Sequence, residues 1–235
     1  MHSYIAIQNT YEVFEIALFI NPTSPRLRRA GKLVVDKKSE DKHNTSKLFI
    51  PLLDELLTKN SAKMSDFDFC AVNCGPGPFS TLRSIIASVN GLHFATHIPL
   101  IGIDGLEATF LEFYDNTYEN TVVLLNAFNN EVYYLLAHHD QILTKGYQKI
   151  SALEDTLQQI QGEREKPIHF IGNGVTLHQP LIKETFGSNA IIKSPNQAIC
   201  SIEMIGKIGL EKWLLKQGAT SFVMPLHLKK HAVEL

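Results

Sequence analysis

The chain has 235 residues, 44% of them hydrophobic and 20% charged, with a formal net charge of -2. A chain of this length buries about 70% of its unfolded surface, enough for one large core or two modest domains without disulfide or metal staples. Its composition excludes a disordered or fibrous protein, and its charge excludes a field that binds nucleic acid unaided.

The β-rich runs Tyr4 to Thr10 and Glu12 to Ile20 predict two strands separated by a tight turn. Gly31 to Lys37 predicts a third, after a Pro- and Arg-containing link from Asn21 to Ala30. Asn44, Thr45 or Ser46 offers an N-cap for a helix running to about Asn60, with Leu48, Phe49, Leu52, Leu53, Leu56 and Leu57 at helical spacing. Pro51 fits this helix only near its first turns or at a kink. With Ile50 added, the apolar stripe is wider than one core contact uses. Either a second, intermolecular contact or burial on two sides accounts for that width. Strand Phe67 to Asn73 leads into the turn Gly75-Pro76-Gly77-Pro78, then a helix from about Ser80 to Thr96 with Leu82, Ile85, Ile86, Val89 and Leu92 on one face. Strand Leu100 to Ile103 completes this half.

After the polar stretch Tyr114 to Asn120 the same order begins again. Thr121 to Ala127 and Glu131 to His138 predict a hairpin around Asn129-Asn130, and Gln141 to Ile150 a third strand. Ser151 with Glu154 forms a capping-box pattern for a helix to about Gln161. Strand Ile168 to Ile171, the turn Gly172-Asn173-Gly174, a short helix, strand Ala190 to Lys193 and a helix from about Gln197 to Gln217 follow. Three antiparallel strands and then alternating helices and strands, twice over, define an α/β protein of two RNase H-like units. The division is expected at residues 1–104 and 105–235, with the last helix able to pack back on the first unit.

Few side-chain sets suggest chemistry. The turn from Gly75 to Arg83 is expected above all to turn a strand into a helix and set that helix; the alternative is that the helix's first N–H groups suit an anion, with Gly75, Gly77 and Arg83 as the contacts, although the Lys-Ser or Lys-Thr pair of a Walker loop is lacking. Cys70, Cys74 and Cys200 have no second ligand pair and are expected to be buried, reduced thiols. His93 and His97 share a helix face without a carboxylate to complete a metal set. His138 and His139 would point to opposite faces if the strand continued through them, but His138-His139-Asp140 is expected to be a strand end. Ser80 lacks the Gly-x-Ser-x-Gly elbow of a hydrolase. Met1-His2-Ser3-Tyr4 carries no basic run and no apolar run has the length of a membrane span, so a cytoplasmic location without membrane contact is expected.

The turn and the element order together resemble the TsaB family, the non-catalytic partners in bacterial threonylcarbamoyladenosine synthesis. Gly75, Pro76, Gly77, Phe79, Leu82 and Arg83 keep step with that family's Gly-Pro-Gly-Ser-Phe-Thr-Gly-Leu-Arg, while Pro78, Ser80 and Thr81 depart. Ile98 to Gly102, Leu106-Glu107-Ala108, Asn126 to Tyr133, Gly172-x-Gly174, Ser194-Pro195 and, loosely, Pro225 to Lys229 also find counterparts, His227 and Lys229 replacing the family's Tyr and Arg. The resemblance implies the actin, sugar kinase and Hsp70-like ATPase fold. It also implies a TsaD-like catalytic partner, a TsaE-like ATPase in the same complex, and tRNA met only through that complex. The partner contact would be a four-helix bundle using the helices Asn44 to Asn60 and Ser80 to Thr96, with Leu48, Leu52, Leu53, Leu56, Leu57, Ile86 and Asn90 as interface residues. A two-fold dimer through the same surface is the expected alternative for the chain alone. Where catalytic relatives carry nucleotide-handling Asp residues, this chain has Gln8-Asn9-Thr10 and Asn126, and where TsaD has two metal-binding His it has Gly105 and Thr109. An amide cannot offset the charge of phosphate-bound Mg²⁺, so no catalytic residue, cofactor or metal is expected. The competing expectation is a free-standing ATPase, kinase or metal-dependent peptidase of this fold. An RNase H-type nuclease would need an acidic cluster that the first strand lacks.

Overall fold

Tyr4 to Asn9 bury every side chain, which a strand does when both faces of its sheet are covered. The computed structural model describes residues 2–21, 34–161, 166–193 and 198–229. In chain order the first elements are β1 (Tyr4–Asn9), β2 (Val13–Ile20), β3 (Val34–Asp41), α1 (Thr45–Lys59), β4 (Phe69–Asn73), α2 (Phe79–Thr96), β5 (Leu100–Ile103) and α3 (Gly105–Phe113). They are followed by β6 (Asn120–Asn126), β7 (Glu131–His138), β8 (Gln141–Lys149), α4 (Leu153–Gln161), β9 (Ile168–Ile171) and α5 (Asn173–Phe186). The last are β10 (Ala190–Ile191), α6 (Ile202–Leu214) and β11 (Ala219–Thr220). The expected link through Ala30, the strand start at Gly31, the pair Ser194-Pro195 and the helix start at Gln197 lie outside the described residues.

The first sheet has the order β11-β5-β4-β1-β2-β3, with β1, β4 and β5 parallel and the others antiparallel to their neighbours. The second has the order β10-β9-β6-β7-β8, with β6, β9 and β10 parallel. Each therefore follows three antiparallel strands with crossover strands added on the far side of the first, the repeat predicted from the element order.

The chain divides into two compact units, residues 1–105 with 201–226, and residues 106–200 with 227–235. The division expected at residue 104 counted α6 with the second half while allowing it to pack back on the first unit, and its body packs on β1, β4, β5 and β2. Two glycines permit this. A Cβ on Gly206 would stand 2.8 Å from the Phe19 ring, and one on Gly209 would stand 2.5 Å from the Cβ of Ala71, so only hydrogen at these positions lets the helix lie this close. Beneath it the strand register aligns a row of rings: Phe19, Tyr4 and Phe69 stack at 4.6 and 4.9 Å, and Trp213 of α6 extends the row at 5.1 Å from Phe69. Burial in this row pushes the Tyr4 hydroxyl up to about 12. Ser201 caps the helix, accepting a hydrogen bond from the N–H of Met204.

On the other face of the first sheet lie α1 and α2. Phe49, Leu52, Leu53 and Leu56 from α1 join Leu82, Ile85, Ile86, Val89 and Leu92 from α2 in one core with β1, β2 and β4. Each such side chain contributes about 1.5–3 kcal/mol by burial. Pro51 sits well inside α1 with its ring exposed. In the second unit α4 starts at Leu153 because Ser151 lies in a preceding 3-10 turn, Ile150–Ala152. The helix α5, expected to be short, runs for 14 residues with a break at His178, two residues before Pro180 removes a donor.

Candidate functional site

Ligands in open α/β sheets gather where strand order reverses, at the carboxyl ends of the parallel strands. In the first unit this point brings together the ends of β1, β4 and β5 and the glycine turn, and amides line it. Gln8 donates to the carboxylate of Glu15 at 2.6 Å, the Asn73 amide donates weakly to Gln8 at 3.5 Å, and the N–H of Gly75 donates to Oδ1 of Asn73 at 2.9 Å. Asn9 donates to the hydroxyl of Thr45 at 3.3 Å. Gln8, Asn9 and Asn73 are all buried. The same place in the second unit repeats the chemistry: the N–H of Asn126 donates to Oδ1 of Asn173 at 2.9 Å, and Oδ1 of Asn126 accepts from the N–H of Phe128 at 2.7 Å. Phe128, Asn129 and Asn130 then turn the hairpin through three consecutive left-handed conformations.

The two glycines of the first turn differ in role. Gly75 is buried at φ +97, and a Cβ there would lie 2.7 Å from Cδ2 of Leu82. Its carbonyl accepts from the N–H of Gly105 at 2.7 Å, tying the turn to the start of α3. Gly77 faces open space, with no atom within 4 Å of a Cβ placed there. Arg83 does not reach back to the turn: its guanidinium lies over the Phe79 ring, 4.0 Å from the centroid, on the exposed side of α2. The alternative of an anion contact thus finds a structural Gly75, an open Gly77 and an Arg83 lying over Phe79, and the first of these agrees with the turn's structural reading. Gly75→Ala is expected to cost about 1–3 kcal/mol in a urea titration, through backbone strain and the Leu82 contact. Gly77→Ala should shift stability by less than about 0.5 kcal/mol.

Gly105 and Thr109, where the resemblance led one to look for metal-binding histidines, are both held by packing. A Cβ on Gly105 would stand 2.8 Å from Oδ1 of Asn73 and 3.1 Å from the Gly75 carbonyl oxygen. Thr109 is fully buried, and its hydroxyl accepts from the N–H of Cys200 at 3.3 Å. His93 donates to the carbonyl of Ile98 at 2.7 Å and His97 ends α2 in a left-handed conformation, so this pair finishes a helix. The three cysteines are buried and free, and burial pushes the Cys74 thiol up to about 11.

The leucines expected to meet a partner require a correction. Leu52, Leu53 and Leu56 are 7, 3 and 0% exposed, Ile86 is 4% exposed, and Leu48 and Leu57 pack half-buried against the same core. Asn90 clasps the chain near β11, donating to the Val223 carbonyl and accepting from its N–H, both at 3.0 Å. The stripe is wide because α1 packs against both the sheet and α2, and periodicity alone could not separate that from an intermolecular contact. What the two helices do present outward is Ile50, 59% exposed, Phe94, 84% exposed, and Phe79 at the start of α2, 43% exposed and lying under Arg83. None of these was singled out as an interface residue, although Ile50 was visible as the extra member of the stripe. Among the described residues, no helix is long and apolar enough to cross a membrane.

Three antiparallel strands followed by crossover strands, once in each unit, define an α/β protein of two RNase H-like units. Two solved chains from Pseudomonas aeruginosa share this fold: YeaZ, 18% identical with a TM-score of 0.70, and an uncharacterized protein with similarity to peptidase YEAZ, 16% identical with a TM-score of 0.72. In both cases the match covers 97% of this chain and 100% of the other. Residues 34–223 match the family model described as TsaD, tRNA N6-adenosine threonylcarbamoyltransferase. The tRNA threonylcarbamoyladenosine biosynthesis protein TsaB of Haemophilus influenzae is 28% identical over 131 residues, 55% of this chain and 51% of that protein. The chain belongs to the family of TsaB and TsaD proteins. The matches span about half the length of the curated relatives, 44% for a mycobacterial protein and 51% for the Haemophilus one.

Proposed function

We propose that this chain is a non-catalytic subunit in the synthesis of threonylcarbamoyladenosine on tRNA, docking a TsaD-like catalytic subunit through the outward faces of α1 and α2. The observation that carries the reading is the pairing of two helices whose inward leucines are already enclosed while Ile50 and Phe94 stand in solvent. Large exposed apolar side chains on helices are the anchors that helix-on-helix interfaces use. Leu48 and Leu57, half-buried against the core, would form the edge of that contact. The accessory role, as opposed to a free-standing ATPase, kinase or peptidase, is supported by the chemistry at the two switch points. Gln8, Asn9, Asn73, Asn126 and Asn173 are neutral donors and acceptors, and Gly105 and Thr109 supply no imidazole. In this reading a TsaE-like ATPase and the tRNA meet the chain only through the TsaD-like subunit, and two copies can pair through the same faces when that subunit is absent. The complex works in the cytoplasm, where tRNA is modified.

Mixing the chain with the TsaD-like protein of its own organism and separating the products by size tests the docking. Ile50→Asp combined with Phe94→Asp is expected to abolish the complex at micromolar concentration, a loss of about 2 kcal/mol or more per anchor, with an unchanged circular dichroism spectrum. An undiminished complex places the docking surface elsewhere. Turnover of Mg-ATP by the purified chain well above that of Gln8→Ala would reject the accessory role.

A further inference from the structure

The turn between β7 and β8 gathers side chains that strand periodicity would keep apart. A continuing strand sends His138 and His139 to opposite faces. Instead β7 ends at His138, His139 takes a left-handed conformation at φ 51, and the two rings come to 4.5 Å centroid to centroid. Glu119, the residue before β6, lies opposite, because the N–H of His139 donates to its carbonyl at 2.6 Å and Asn120 pairs with His138 across the sheet. One ligand atom each from Glu119, His138 and His139 lies within 4.8 Å of the others, all solvent-accessible.

We propose that Glu119, His138 and His139 form a zinc-binding site at this end of the second sheet. Two imidazoles and a carboxylate are a donor set that Zn²⁺ favours, with water as a fourth ligand. Ligands of tetrahedral zinc lie roughly 3.3 Å apart for bonds near 2 Å, so small side-chain rotations at an open surface close the set. Two features orient it beforehand. Nδ1 of His138 donates to Oδ1 of Asn120 at 3.1 Å, which leaves Nε2 with the free lone pair and is the outer contact that ligating histidines commonly make. The Glu119 carboxylate, meanwhile, is held by the ammonium of Lys166, so a cation already stands beside the position the metal would take. Lys166 competes with zinc for that carboxylate and tunes the affinity downward. Bound zinc would tie the segment entering β6 to the hairpin tip.

Metal-stripped chain titrated with zinc chloride by calorimetry should saturate at one ion per chain. His138→Ala with His139→Ala, and separately Glu119→Gln, should weaken binding at least about tenfold with unchanged circular dichroism. Lys166→Ala should tighten it several-fold. His93→Ala with His97→Ala controls for the other histidine pair and should leave the affinity as it was. The proposal is overturned if zinc binds the His138 and His139 double variant as it binds the parent, if binding disappears with His93 and His97 instead, or if Lys166→Ala changes nothing.

Discussion

Leu56→Asp should fail to accumulate as a folded protein. Leu56 is 0% exposed and sits in the core that α1 shares with α2, β1, β2 and β4. Shortening such a leucine to alanine costs about 2–5 kcal/mol. A carboxylate there has no cation to pair with among the apolar side chains of that core, and burying it costs several kcal/mol more or forces its protonation. The sum is comparable with the whole stability of a typical domain, about 5–15 kcal/mol. Ile50→Asp, six residues earlier on the outward face, should melt with the parent, within about 0.5 kcal/mol. The pair thus separates loss of folding from loss of docking, and a Leu56→Asp protein that melts with Ile50→Asp would show that α1 does not seal the core.

Gly172→Ala should be almost as damaging for a different reason. Its φ is +109, and an added Cβ would stand 2.1 Å from the carbonyl oxygen and 2.9 Å from the carbonyl carbon of Leu124. The obstacle is backbone of the central strand β6, which cannot swing aside as a side chain can. Either β9 and α5 retreat from β6 or the β6 ladder opens, and the expected loss exceeds about 4 kcal/mol. Hydrogen exchange in β6 and β9 should accelerate strongly. A Gly172→Ala protein melting within about 2 °C of the parent would contradict the close approach.

Much of this fold was legible in the sequence because continuous apolar runs bounded by turn residues have few alternatives. Strands β1, β5, β7 and β9 lie close to where pattern places them, and the repeat of three antiparallel strands and crossovers followed from their order. The helix α3 was missed: it opens on a glycine, and Leu106, Ala108, Thr109 and Phe110 are buried while Leu111 is exposed, so no polar face marks it. The strand β11 has only two residues, too few for any alternation to show. That the last helix could pack back on the first unit was legible, but not that Gly206 and Gly209 set its close approach, because a glycine's neighbours appear only in three dimensions. At the candidate site the amides were readable as chemistry, whereas the direction of Arg83 was not, because a long side chain beside an aromatic ring chooses its partner in three dimensions. The leucine stripe showed how much apolar surface α1 needs to cover and left open what covers it. At His138 and His139 the end of the strand was legible, but not the left-handed residue that brings the two rings together.

The return of α6 to the first sheet also sets an order of events at the ribosome. The ring row of Phe19, Tyr4 and Phe69 is translated before residues 106–200, and its lid, with Trp213, Gly206 and Gly209, after them. The first sheet therefore waits for a segment made after residues 106–200 before both its faces are covered, and a fragment cut near residue 105 would leave those rings in water.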